Sequence, residues 1–141
     1  MKLVAILAEL HIFEGVANWA QPLRLGVAVE GRPFLRICER RGDSITLDEA
    51  PLEPADLGEG GRVEVFDLTA RLDPTLSGAQ LEAVRRIEDG EGRLLGVALM
   101  RRPQGPFCIW IEDDEFYWGS EPALKSAPFP EGLHPVIGAP V

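Results

Sequence analysis

Residues 25–29 read Leu-Gly-Val-Ala-Val, and residues 95–99 read Leu-Gly-Val-Ala-Leu. Leu25, Val27 and Val29 alternate with small residues, as do Leu95, Val97 and Leu99, which is the period of a β-strand. Followed forward, the echo lengthens. Pro33-Phe34 answers Pro106-Phe107, and the apolar runs after them end at Glu39 and Glu112. Segment 43–51 then lines up with 114–122, placing Asp43 on Asp114, Ile45 on Phe116, Leu47 on Trp118 and Pro51 on Pro122. The offset drifts between 70 and 73 residues, as short loop insertions would make it do. A shared order of apolar runs, Pro-Phe steps, Asp and Pro predicts an internal duplication of about 70 residues.

Working outward gives each half a coarse structure. Leu3, Ile6, Leu7 and Leu10 fall at i, i+3, i+4 and i+7, which predicts a helix at the start of the first half. Ser77 and Gln80 fit a capping box, and Leu81, Val84 and Ile87 continue a helical period at the start of the second. A strand is expected near 11–19, then strands at 25–29, 34–38 and 45–47, with counterparts at 95–99, 107–111 and 116–118. Gly31, Gly42, Gly92 and Gly105 punctuate the runs, so successive strands form antiparallel hairpins. Segment 52–70 adds a loop and a strand over Val63 to Leu68, and Asp73-Pro74 marks the turn into the second half.

The expected fold class is therefore α+β and β-rich. Two helix-plus-antiparallel-hairpins units, residues 1–70 and 71–126, form one pseudo-two-fold domain spanning 1–141. A unit of this size alone makes a core worth no more than about 3–5 kcal/mol, so two that share an apolar layer gain most. The tail, 127–141, holds Pro128, Pro130, Pro135 and Pro140, which exclude a helix or a central strand. Phe129, Leu133, Val136 and Ile137 favour a strap on the surface.

Charge bounds the partners. There are 23 Asp and Glu against 14 Lys and Arg, a net −9 spread evenly over both halves. Such a surface repels nucleic-acid phosphates and anionic membranes, and favours a basic protein partner. A homo-oligomer is compatible with it. The first apolar run, Leu3 to Ala8, is too short for a signal peptide, and no run approaches a membrane span, so a cytoplasmic protein is expected. Cys38 and Cys108 each sit in an apolar run and read as buried thiols.

No stretch carries a catalytic or cofactor signature. His11 and His134 lie in no metal-ligand spacing, and no metal or cofactor is expected. Ser44, Ser77, Ser120 and Ser126 stand outside any nucleophile motif, and Leu57 to Arg62, though glycine-rich, lacks the lysine of a phosphate loop. Carboxylates are the abundant reagent. One cluster holds Asp48, Glu49, Glu53, Asp56 and Glu59, and the other Glu112, Asp113, Asp114 and Glu115 at an expected hairpin turn. Beside the second, alternation places Phe116 and Trp118 on one face of a strand and Tyr117 on the other, with Trp110 stacking near Tyr117 across the hairpin.

Acids flanked by aromatics point to a non-enzymatic binding protein that engages a basic partner, by analogy with small acidic inhibitors and immunity proteins. The partner-binding residues expected are Asp48, Glu49, Glu53, Asp56, Glu59, Glu112, Asp113, Asp114, Glu115, Tyr117 and Trp110. Two other functions fit the composition: a β-rich module binding a sugar or small ligand, and a carboxylate-based or metal-assisted hydrolase.

Overall fold

The computed structural model describes residues 1–141. Its strands build two antiparallel sheets. The first sheet uses β1 (Leu3–Phe13), β2 (Val16–Ala17), β3 (Arg24–Val29), β4 (Leu35–Arg40), β5 (Ser44–Asp48), β6 (Ala55–Asp56) and β7 (Arg62–Asp67). Their order is β5-β4-β3-β1-β7-β6, with β2 paired to the end of β1. A short helix α1 (Thr69–Leu72) and a single 3-10 turn (Pro74–Leu76) follow. The second sheet uses β8 (Leu81–Glu88), β9 (Leu94–Arg101), β10 (Phe107–Glu112), β11 (Glu115–Ser120) and β12 (Val136–Pro140), in the order β11-β10-β9-β8-β12. Helix α2 (Glu121–Lys125) lies between β11 and β12.

Strands β5-β4-β3-β1-β7 and β11-β10-β9-β8-β12 thus follow one order. The burial of β5 and β11 also runs in step: Ile45 and Phe116 are buried, Thr46 and Tyr117 exposed, Leu47 and Trp118 half-buried. The repeated Leu-Gly-Val-Ala phrase occupies β3 and β9, and its glycine answers a steric need in each. A Cβ on Gly26 would fall on the Phe34 ring, and one on Gly96 would fall on the backbone of Ile109 and Trp110.

The chain divides into two compact units. One comprises Lys2–Cys38 and Leu47–Ala79; the other comprises Met1, Glu39–Thr46 and Gln80–Val141. In the first, Leu3, Ile6, Leu10, Leu25 and Ile37 are fully buried. In the second, Ile87, Leu95, Ala98, Cys108, Trp110 and Leu124 form a cluster against which Met100, Ala127, Phe129, Leu133 and Ile137 pack. The tail crosses that cluster as a strap and ends as the edge strand β12, as its prolines require.

Both expected helices are corrected to strands. Residues 3–10 lie in β1, and residues 81–87 in β8. The run Leu3–Phe13 is buried on both faces for much of its length: Ile6, Ala8 and Leu10 on one, Glu9 on the other. A strand covered on both sides reads as continuously apolar and therefore satisfies a helical period by accident. In β8 a register shift between Leu81 and Ala83 breaks the alternation that would have marked a strand. Ser77 caps no α-helix; it follows the 3-10 turn, whose cap is Asp73 accepting from the Thr75 N–H. The helices present, α1 and α2, are single turns. α2 is announced by Ser120, whose hydroxyl accepts from the Ala123 N–H, and by Pro122 in the first turn.

Candidate functional site

In the second unit, β10 and β11 close through a two-residue turn, Asp113 and Asp114, both at positive φ (49° and 66°). That is a type I′ turn, the geometry that matches strand twist. Trp110 pairs with Tyr117 in register, and their rings stack at 6.3 Å. Trp110 is buried and belongs to the core cluster, with its indole N–H unpartnered. Tyr117 is 39% exposed and donates its hydroxyl proton to Glu115 Oε2 at 3.2 Å. That hydrogen bond, with Glu112 and Asp113 nearby, holds the phenol above its ordinary value of 10.0. The Asp114 N–H donates to the Gly42 carbonyl at 2.9 Å, and the Asp114 carboxylate occupies the space a Cβ on Gly42 would fill.

The acidic cluster 48–59 belongs to the first unit, with a different local role for each acid. β5 and β6 lie at opposite edges of their sheet, so residues 49–54 must cross its face. The crossing is pinned at the centre. The Glu53 N–H donates to Glu9 Oε2 at 3.1 Å, and Glu9 sits on β1 with only 5% exposure. Arg24, opposite Glu9 in register on β3, brings Nη1 to 3.7 Å from Glu9 Oε1. Next to them, Arg36 and Asp48 form a two-pronged pair at 2.8 and 2.7 Å. Hydrogen bonding to Arg36 holds the Asp48 carboxyl below its usual 3.8, and the same bond raises the Arg36 guanidinium. Asp48 is thereby committed to an internal partner; Glu49 and Glu53 are exposed.

Past Glu53 the chain pairs with β7 over two residues only, Ala55 with Val63 and Asp56 with Arg62. It then turns through Gly58–Gly60, where Glu59 is exposed. Gly61 has φ 92°, and a Cβ there would strike the Ile12 carbonyl, so glycine is required. His11 Nε2 and the Gly60 carbonyl lie 2.6 Å apart, which fixes the turn against β1.

Beside this hairpin runs an open groove of about 560 Å³, lined by Pro54, Ala55, Asp56, Gly58, Gly61, Arg62, Val63 and Glu64. Asp56 Oδ1 accepts from the Gly58 N–H at 2.8 Å, and Arg62 Nε donates to Glu64 Oε1 at 2.8 Å. The groove thus presents two carboxylates, one of them paired with its single guanidinium, over a floor of Pro54, Ala55 and Val63. A Lys or Arg side chain fits such a surface, with its stem on the aliphatic floor and its head at the carboxylates. At the same end of the unit Leu57 and Phe13 are each 49% exposed.

Of the acids expected to bind a partner, Asp56 lines the groove and Glu59 sits on its adjoining turn; Glu112, Asp113, Asp114, Glu115 and Tyr117 belong to the other unit. Sequence reasoning missed Glu9, Arg24, Arg62 and Glu64. The available signal was Glu9 itself, the single acid in an eleven-residue apolar strand; a carboxylate so placed must be hydrogen-bonded. No group of three or more His, Cys, Asp or Glu is placed to hold a metal ion, and no helix is long and apolar enough to cross a membrane. Comparison with family models, with curated proteins and with solved structures returns no match for this chain.

Proposed function

We propose that this chain is a non-enzymatic, acidic binding protein that engages a basic segment of a partner protein. The observation that carries the reading is the groove beside β6 and β7, where Asp56 and Glu64 stand over an aliphatic floor and Arg62, paired with Glu64, is the one cation. The surrounding stretch, residues 53–67, holds Glu53, Asp56, Glu59, Glu64 and Asp67 against that one base. Opposite charge on a partner speeds encounter, and the exposed Leu57 and Phe13 supply apolar area that slows release. The hairpin acids Glu112, Asp113 and Glu115, with Tyr117, form a second acidic surface of the same sign.

The test is capture of partners at low salt and at about 1 M, where the Debye length falls to about 3 Å. A variant combining Asp56→Asn, Glu59→Gln and Glu64→Gln is run beside the parent chain. The reading expects a basic protein retained at low salt, lost at high salt and lost by the variant. Equal recovery by parent and variant counts against it.

We also infer that the two sheets descend from one duplicated unit of about 70 residues, forming a single domain with pseudo-two-fold character. The common strand order and the matched burial of β5 and β11 support this reading. One cooperative unfolding transition seen by two probes is the expected behaviour; two separable transitions would contradict the single domain.

A further inference from the structure

The open edge of β7 lies next to the groove. The Leu68 N–H donates to the Ile6 carbonyl at 2.8 Å, which fixes the phase of the β1–β7 ladder. Phe66 therefore turns its N–H and C=O toward β1, and Val65 and Asp67 turn theirs away. The other side agrees: the Leu57 N–H donates to the Gly61 carbonyl at 2.9 Å, so Gly61 and Val63 face β6. β6 ends before it reaches Val65. The residue that would pair there is Glu53, and its N–H is committed to Glu9 Oε2 on the sheet face. Val65 and Asp67 are left with their outward main-chain groups facing no strand. Val65 is half-buried and Asp67 exposed, so the edge is reachable.

We propose that this edge accepts an extended, basic segment of the partner as an added strand. The segment would exchange main-chain hydrogen bonds with Val65 and Asp67 and lay a Lys or Arg side chain into the groove between Asp56 and Glu64. This rests on the basic-partner reading and names how that partner docks. Strand addition draws affinity from main-chain bonds and specificity from alternate side chains. Charge selects the occupant. Residues 53–67 carry five acids and one base, so a second copy laid edge to edge would set acid against acid. A basic strand meets the same field as an attraction.

The test uses a pool of short synthetic peptides with Lys or Arg at alternate positions and aliphatic residues between. A matching pool replaces the basic residues with Glu. The tightest basic peptide is then remade with N-methyl groups at alternate amides, which removes strand hydrogen bonds but keeps the charge. Hydrogen exchange is read at Val65 and Asp67, and binding is repeated with Val65→Pro, whose lost N–H lies outside the β1 ladder. The expected result is enrichment from the basic pool alone, slowed exchange at both amides, and at least about tenfold weaker binding after N-methylation, which is about 1.4 kcal/mol. Salt-sensitive binding with no slowing at Val65 or Asp67, and no effect of N-methylation, overturns strand addition and leaves the acidic-surface reading standing. No enrichment from the basic pool overturns both. Concentration-dependent dimers that protect Val65 without peptide overturn the proposed occupant.

Discussion

The backbone N–H of Glu53 and the carboxylate of Glu9 meet at 3.1 Å, and this one contact decides the path of the chain across its sheet. Without it the segment between β5 and β6 would have no anchor on the central strand. With it, the chain joins the β7 edge only at Ala55 and leaves Val65 and Asp67 uncovered beside the groove.

Glu9→Ala should therefore destabilise the protein by about 1–3 kcal/mol, because it strands the Glu53 N–H and leaves Arg24 without its partner. Glu9→Gln keeps an acceptor and should cost less. Denaturant midpoints at constant slope measure both changes. The Glu53 amide should exchange faster in Glu9→Ala than in Glu9→Gln; equal exchange would remove Glu9 as the anchor.

The two glycines of the repeated phrase make a second pair of variants. Gly26→Ala places a Cβ on the Phe34 ring, and Gly96→Ala places one on the backbone of β10. A ring can rotate aside, whereas a paired strand cannot. Both should destabilise, by about 1–3 kcal/mol as overpacking does, with Gly96→Ala the worse. The reverse order would show that β10 yields more readily than Phe34.

The strands read most easily in the sequence were those with one clean alternation and a turn residue at each end. Leu25 to Val29 and Leu95 to Leu99 are of this kind. So is the Trp110–Tyr117 stack, which follows from alternation across a two-residue turn. β1 was hidden because burial on both faces erases the period of two, and β8 because a register shift breaks it. The site was hidden for a different reason. Glu9 and Glu53 are 44 residues apart, and the open edge of β7 exists only because a chain segment departs from it. No local pattern encodes a departure. Net charge and acidic clusters pointed toward a basic partner, but they did not single out Asp56 and Glu64 from the other acids.

Asp48 gives a prediction in pH. Its hydrogen bonds to Arg36 lower its folded pKa below 3.8. A carboxyl with a depressed folded pKa contributes stability that is present above its unfolded value and lost as pH falls through the folded one. The acid side of the stability curve should therefore steepen below about pH 4. Asp48→Asn should flatten that limb by lowering stability above about pH 4, with the variant and parent curves converging at strongly acidic pH. The pair is solvent-exposed, so the effect should also shrink with added salt. A carbon-detected titration of Asp48 that returns an ordinary aspartate value would contradict the pairing.

Cys108 gives the converse sign. It is fully buried in the cluster beneath the tail, and burial pushes its thiol up to about 12. The neutral thiol is favoured in the fold, so its contribution is whole below the unfolded pKa of about 8.5 and fades as pH rises toward the folded value. Stability should fall over that alkaline window, and Cys108→Ala should remove the part due to this thiol. Reactivity follows from the same burial, since the thiolate is the nucleophile. At mildly alkaline pH a disulfide reagent should label Cys108 in the native chain only through opening of the structure, at a rate that rises with denaturant. Removing residues 127–141 takes away Phe129, Leu133 and Ile137 from the cluster and should make Cys108 react without denaturant. If the truncated chain stays folded and Cys108 remains inert, the tail is not what shields it.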